Sequence, residues 1–184
     1  EEDDFERDVD RAKEAVERLG GNISVELEYP GDMTANGLEF GPFGERIAAQ
    51  LAEVGINVTL KPSPVATALE TYRAGTQETG FWFWSPDYPD SASYLAFGPG
   101  ALLGDRSGWA AGTASDLEEV MAETAVETDD AKREALYEEF QRLNNDYSVL
   151  IPLFHPAATV VSTTDVGAVK RDPSYTLDIA EIGR

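Results

Sequence analysis

The sequence predicts an α/β domain built around a parallel sheet, and three observations carry that prediction. Apolar residues at helical spacing alternate with short strand-like runs, in the order strand, helix, strand, helix, strand. Short connections link the elements, and the alternation argues for right-handed crossovers, each carried by a helix, between parallel strands. The third strand, Phe81 to Trp84, is an unbroken run of aromatics, which suits a strand buried on both faces. It leads into Ser85-Pro86-Asp87-Tyr88-Pro89-Asp90, where each proline lacks an N–H and fixes φ, so the strand must stop. An acidic, aromatic-walled turn therefore stands just beyond the carboxyl end of a strand, where open α/β sheets bind ligands.

Each element has its own signal. Phe5, Val9, Ala12, Val16 and Leu19 alternate spacings of four and three, predicting an amphipathic helix that stops at Gly20-Gly21. Ile23 to Tyr29 alternates apolar and polar residues, a half-buried strand ended by Pro30-Gly31-Asp32. A loop rich in Gly, Asn and Pro reaches Pro42. Phe43, Ile47, Leu51 and Val54 stripe a second helix, with Gly55 just past its end. Ile56 to Leu60 is a β-branched strand. Ser63-Pro64 reads as an N-cap followed by proline at the first helical position, opening a helix to about Arg73 that ends at Gly75.

Beyond the aromatic turn, Ser91 to Trp109 reads as an ordered loop holding a short helix. Ser115-Asp116-Leu117-Glu118 has the form of a capping box, and Leu117, Val120, Met121 and Ala125 form an apolar face. After Thr128-Asp129-Asp130, the residues Leu136, Phe140, Leu143 and Tyr147 stripe a longer helix. Val149 to Phe154 and Thr159 to Val161 look like strands, and Thr163 to Arg184 alternates weakly. There is no internal repeat.

The 184 residues fit one domain, or one large lobe of something bigger, and 42% of them are apolar, enough for a core. The formal charge is −21, from 35 acids against 14 Lys and Arg. Unassisted binding to nucleic acid or to an anionic membrane surface is thereby disfavoured. Lys occurs only at Lys13, Lys61, Lys132 and Lys170, a pattern shared by salt-adapted proteins and by GC-rich genomes. With no cysteine there are no disulfides, thiolate metal sites or Cys nucleophiles, and the compartment stays open. No apolar run reaches the length of a membrane span. The acidic start is unlike a signal peptide, so any targeting segment is expected upstream.

Several short motifs, in order, resemble those of the extracellular solute-binding protein family 5, the dipeptide- and oligopeptide-binding proteins of ABC importers. Arg11-Ala12-Lys13-Glu14, Leu19-Gly20 and Ile23-Ser24-Val25-Glu26-Leu27 look like the family's helix, glycine and strand start. Ile47 to Val58 is similar to its helix and the following Gly-Ile-x-Val strand. Trp84 to Asp90 resembles its Trp-x-x-Asp-Tyr-x-Asp segment. Arg133, Leu136, Tyr137 and Gln141 match its Arg-x-x-Leu-Tyr-x-x-x-Gln helix, and Ile151-Pro152-Leu153 its Ile-Pro-Leu strand. The resemblance implies a periplasmic-binding-protein-like lobe of the class II type, with a parallel-rich sheet and helices on both faces. It implies that residues 1–184 form a single α/β lobe, the carboxyl-terminal portion of a larger two-lobed protein, with about 163–184 near the hinge.

It further implies a non-enzymatic substrate-binding component that captures peptides or peptide-like solutes outside the cell and delivers them to an ABC permease. The partners would be the solute, the permease and the missing amino-terminal lobe. The location would be extracellular or periplasmic, anchored to the membrane through an upstream segment. No cofactor and no metal are implied. By the resemblance Asp87 takes the ligand's α-ammonium group and Trp84 lines a pocket; beside them, Tyr88 could stack on a ligand or cover the cleft edge. A carboxylate on a desolvated wall can offer charge-assisted bonds of about 1.5–3 kcal/mol each.

Plainer readings stand beside these. Asp87 could be a turn residue bonding its own backbone, Trp84 plain core, and Asp90 a cap for the segment starting at Ser91. Solvated acids are the plain reading against a divalent cation on the same turn. His155, the only histidine, reads as structural. The sequence also departs from the family: Asp-Pro becomes Asp90-Ser91, Thr34 to Phe43 holds no basic residue to grip a ligand carboxylate, and Phe81 stands where one oligopeptide-binding type has Arg. Longer peptides and oligosaccharides therefore remain open as ligands, and a carboxylate-dependent hydrolase remains open as a different class.

Overall fold

A computed structural model describes residues 7–157, 159–167, 169, 177 and 182. The chain divides into two compact units, Glu1–Phe83 and Trp84–Arg184, so the boundary falls inside the aromatic run.

The first unit contains α1 (Val9–Arg18), β1 (Ile23–Pro30), β2 (Thr34–Ala35), β3 (Leu38–Glu39), α2 (Phe40–Ala52), β4 (Ile56–Ser63), α3 (Val65–Arg73) and β5 (Thr79–Gly80). Three strands form a parallel sheet in the order β4-β1-β5. β1 pairs with β4 along its whole length, from Ile23 opposite Ile56 to Pro30 opposite Ser63. Alternation along β1 sends Leu27 and Tyr29 to one face, where Phe40, Phe43 and Ile47 of α2 and Phe81 complete a core. Tyr29 stacks on Phe81 with ring centroids 4.8 Å apart. Glu28 points to the other face, against α3, where Thr71 Oγ1 donates to Glu28 Oε1 at 2.6 Å. Helices thus pack on both faces of the sheet, as the α/β reading requires.

Several local expectations are corrected. The alternation in β1 predicts a solvated polar face, yet Glu28 is only 4% exposed because α3 covers it. Its carboxylate survives burial by accepting from Thr71 and facing Lys61 Nζ at 3.5 Å. The loop after β1 contains a small hairpin, β2 with β3, turning at Asn36-Gly37 with both residues at positive φ. α2 begins at Phe40, ahead of the expected Phe43. Ser63 closes β4 and does not cap α3. Pro64 holds the cap position, and the Val65 N–H donates to Asp32 Oδ1 at 2.9 Å. Of the first predicted stripe, Val16 is buried, Leu19 is 75% exposed and Phe5 lies outside the described residues.

The third strand is shorter and earlier than expected. Only Thr79 and Gly80 pair with β1, opposite Leu27 and Glu28. Phe81 to Trp84 continues without a ladder. High β propensity reflects a fit to a pleated, half-buried surface; here Phe81, Trp82 and Trp84 meet other rings without backbone pairing, while Phe83 is 41% exposed, so the run is not buried on both faces.

The second unit is helical. It holds a 3-10 segment, Ser91–Phe97, then α4 (Leu102–Arg106), α5 (Ser115–Val126) and α6 (Asp130–Tyr147). Trp109, Ala114, Leu117, Phe140 and Leu143 form its core, with Leu117 fully buried. The ordered loop with a short helix is present: the Trp109 N–H donates to the Gly104 carbonyl at 2.8 Å, and the Trp109 carbonyl accepts from Gly100 at 2.9 Å. The capping box does not form. Ser115 is already the first helical residue, and Glu118 reaches back past it to accept from the Gly112 N–H at 2.7 Å. Thr124, not Ala125, continues the buried face of α5, its hydroxyl donating to the Val120 carbonyl at 2.6 Å.

Val149–Phe154 and Thr159–Val161 form no strand among the described residues. Ile151, Leu153 and Phe154 are at least half exposed, and His155 is exposed too, not a core histidine. β-branched and aromatic residues need a surface to pack on before they pair. Most of Thr163 to Arg184 lies outside the described residues.

Candidate functional site

Two neighbours flank β1, one on each side, so strand order reverses between β1 and β5. The carboxyl edge at such a reversal is where open α/β sheets take ligands. The chain leaves β5 there and runs through Phe81–Trp84 into the acidic turn.

The turn itself belongs to the second unit, and its parts are held unequally. Trp84 is half-buried, with its ring edge-on to Tyr94 at 5.1 Å and to Phe97 at 4.8 Å. Both partners lie on the 3-10 segment, so Trp84 is clasped by aromatics from the next element. Its core reading and its wall reading are compatible, because the residue is only partly buried. Tyr88 is 49% exposed. Its carbonyl is fixed by two donors, the Asp90 N–H at 2.9 Å and Ser93 Oγ at 3.1 Å.

The two carboxylates of the turn differ sharply. Asp90 does what a turn aspartate does: Oδ1 accepts from the Ala92 N–H at 2.7 Å and so caps the 3-10 segment. The same oxygen accepts from Arg133 of α6 at 2.6 Å. The Arg133 guanidinium, helped by the Ala92 N–H, holds the Asp90 carboxyl below its ordinary range. Asp87 is exposed, and its carboxylate takes no hydrogen bond or ion pair from any described residue. The turn-residue reading therefore describes Asp90, while the lone pairs of Asp87 are unspent on the described residues.

Arg133 also donates to Tyr137 Oη at 3.0 Å and lies over that ring, 5.2 Å from its centroid. Burial raises the Tyr137 phenol above its ordinary value. Arg133, Tyr137 and Gln141 recur at every fourth position, so they share one face of α6 and line a shallow groove with Ser91. The motif on α6 was visible in the sequence, but its tie to Asp90 was not, since nothing local links positions so far apart.

Among the described residues no group of three or more His, Cys, Asp or Glu could hold a metal ion. No helix among them is long and apolar enough to cross a membrane. A hydrolase reading needs a second carboxyl free to donate a proton, and Asp90, ion-paired and held low, is poorly suited to that work.

Known proteins carry the same fold. No family profile matches the chain. It is 22% identical over 184 residues to Di/tripeptide-binding protein 2 of Pseudomonas aeruginosa, a match covering 97% of this chain and 34% of that protein. It is 30% identical over 122 residues to the periplasmic oligopeptide-binding protein OppA of Escherichia coli, covering 65% of this chain and 22% of the relative. A dipeptide-binding protein from Pseudoalteromonas, solved with Met-Leu, superposes with a TM-score of 0.75 at 15% identity, over 95% of this chain and 35% of that one. The class is thus an α/β lobe of the kind found in peptide-binding periplasmic proteins, and the resemblance carried by the sequence motifs is borne out. The chain spans about a third or less of the length of these relatives.

Proposed function

We propose that this chain is the carboxyl-terminal portion of a two-lobed substrate-binding protein that captures peptides outside the cell for an ABC importer. One observation carries the reading: Asp87, an exposed carboxylate without a partner among the described residues, sits on an aromatic-walled turn that follows the last strand of the parallel sheet along the chain. Asp87 takes the ligand's α-ammonium group, Trp84 forms a wall and Tyr88 covers the turn's open side. The similarity to proteins named for di-, tri- and oligopeptides supports the ligand class. The protein works in the periplasm or outside the cell, held to the membrane through a segment upstream, and acts by closure of two lobes without bond chemistry.

The test uses the full-length protein and calorimetric titration with tri-alanine, free and N-acetylated. Asp87→Asn is expected to weaken the free-amine peptide by roughly tenfold or more, the loss of one charge-assisted bond, and to leave the acetylated peptide nearly unchanged. Equal losses for both peptides would sink amine recognition by Asp87.

A further inference from the structure

The groups that fix the turn converge on one side chain. The Tyr88 carbonyl is pinned by Asp90 and Ser93, and the Ser93 N–H returns to the Asp90 carbonyl at 3.1 Å. Asp90 Oδ1 closes the ring by capping Ala92. Every one of these bonds is local, within a few residues, and local bonds of a proline-rich turn can be traded for others or for water. The Asp90–Arg133 ion pair is the bond that crosses 43 residues and ties the turn to a long helix.

Arg133 is itself held in place. Its guanidinium lies over Tyr137, one turn further along α6, and bonds that residue's hydroxyl. A planar guanidinium suits this arrangement, because it can stack on a ring and donate in its plane at once; an ammonium cannot do both.

We propose that Arg133 is a positioning residue that sets the backbone of the Asp87–Asp90 turn, so that Asp87 presents its carboxylate in one fixed direction. The importance of that direction for binding rests on the reading of Asp87 as the amine acceptor; the fixing of the turn does not. Arg133 itself touches no ligand. It works through Asp90 and the Tyr88 carbonyl, lowering the conformational freedom the turn would lose on binding.

Amide hydrogen exchange on this chain tests the fixing directly. Arg133→Met keeps the stem and removes the charge, and it is expected to speed exchange at Asp90, Ala92 and Ser93 about fivefold while the core amides of α6 hold their rates. Asp90→Asn, which leaves α6 untouched, is expected to do the same, and the double variant to add little to either single one. Arg133→Lys restores only part of the protection, which a role limited to charge would restore in full. Unchanged exchange at the three turn amides in both single variants would overturn the proposal. Peptide affinity of the full-length protein separates the two readings. If Asp87→Asn abolishes binding of tri-alanine while Arg133→Met alters neither affinity nor exchange, the positioning role falls and amine recognition stands. If the turn loosens in Arg133→Met but Asp87→Asn binds normally, the positioning role stands and amine recognition falls.

Discussion

The two units solve the problem of holding a chain together in different ways. The first is organised by backbone pairing: an eight-residue parallel register fixes β1 against β4, and helices close over both faces. The second has no such ladder among its described residues. Its helices pack around Trp109 and Leu117, and exposed carboxylates tie its segments to one another: Asp90 to Arg133, and Asp116 to the Tyr147 hydroxyl at 2.6 Å. Sheet register tolerates little local change but shields what it carries. Helix packing joined by exposed polar bonds leaves the turn adjustable by single side chains.

The largest effect expected from this contrast is at Leu117, fully buried in the second unit. Leu117→Ala should cost about 3 kcal/mol, read as lost protection of α5 and α6 amides. If β1 and β4 lose protection in the same step, the two units are one cooperative body and the contrast breaks.

The matching test in the first unit is Gly44, where an added Cβ would lie 2.8 Å from the Tyr29 ring. Gly44→Ala should destabilise by about 2 kcal/mol through overpacking, measured by chemical denaturation. A smaller loss, about 1.5 kcal/mol, is expected for Glu28→Ala, because the Thr71 hydroxyl can turn its one proton to the Ala68 carbonyl, 3.0 Å away. A larger loss there would show that the polar face of the sheet, and not only its register, holds the first unit.

Acid should separate the units in the opposite direction. Asp116 is held low by the Tyr147 hydroxyl, Asp90 by Arg133, and Glu127 by the Asp129 N–H. Groups lowered in the fold contribute stability above about pH 4, their ordinary range, and lose it as pH falls through the lowered folded value. Protection of the amides at Ala92 and Leu117 should therefore decline in that acid window, followed by hydrogen exchange. The smallest expected effect comes from salt: screening a net charge of −21 should raise the thermal midpoint of the whole chain, and a fall would argue that its ion pairs outweigh its self-repulsion.

How much of this was readable without coordinates follows the same division. β1 and β4 were legible because alternation and β-branching report directly on a half-buried strand, and their register then follows. The Asn36-Gly37 hairpin carried its own turn signal and was passed over inside a loop. The burial of Glu28 was hidden, since alternation cannot say what covers the polar side of a strand. In the second unit the helices were visible from their stripes, but their caps were not. Ser115-x-x-Glu118 has the composition of a capping box, and the chain places the serine one residue too late to use it. In the acidic turn, residue types singled out Trp84, Asp87 and Tyr88 as candidates and gave Asp90 its cap, which the Ala92 N–H bears out. What the sequence did not show is the second partner of Asp90, Arg133, 43 residues away.

The aromatic run that spans the unit boundary has an optical consequence. Trp82 stacks on Tyr72 at 4.7 Å and donates its indole N–H to Gln77 at 3.1 Å, while Trp84 stands against Tyr94 and Phe97 at the root of the turn. With Trp82 and Trp109 replaced by Phe, the remaining indole would be a native emitter three residues from Asp87. Its colour and its quenching by small anions would then report on the wetness of that turn, with no dye attached.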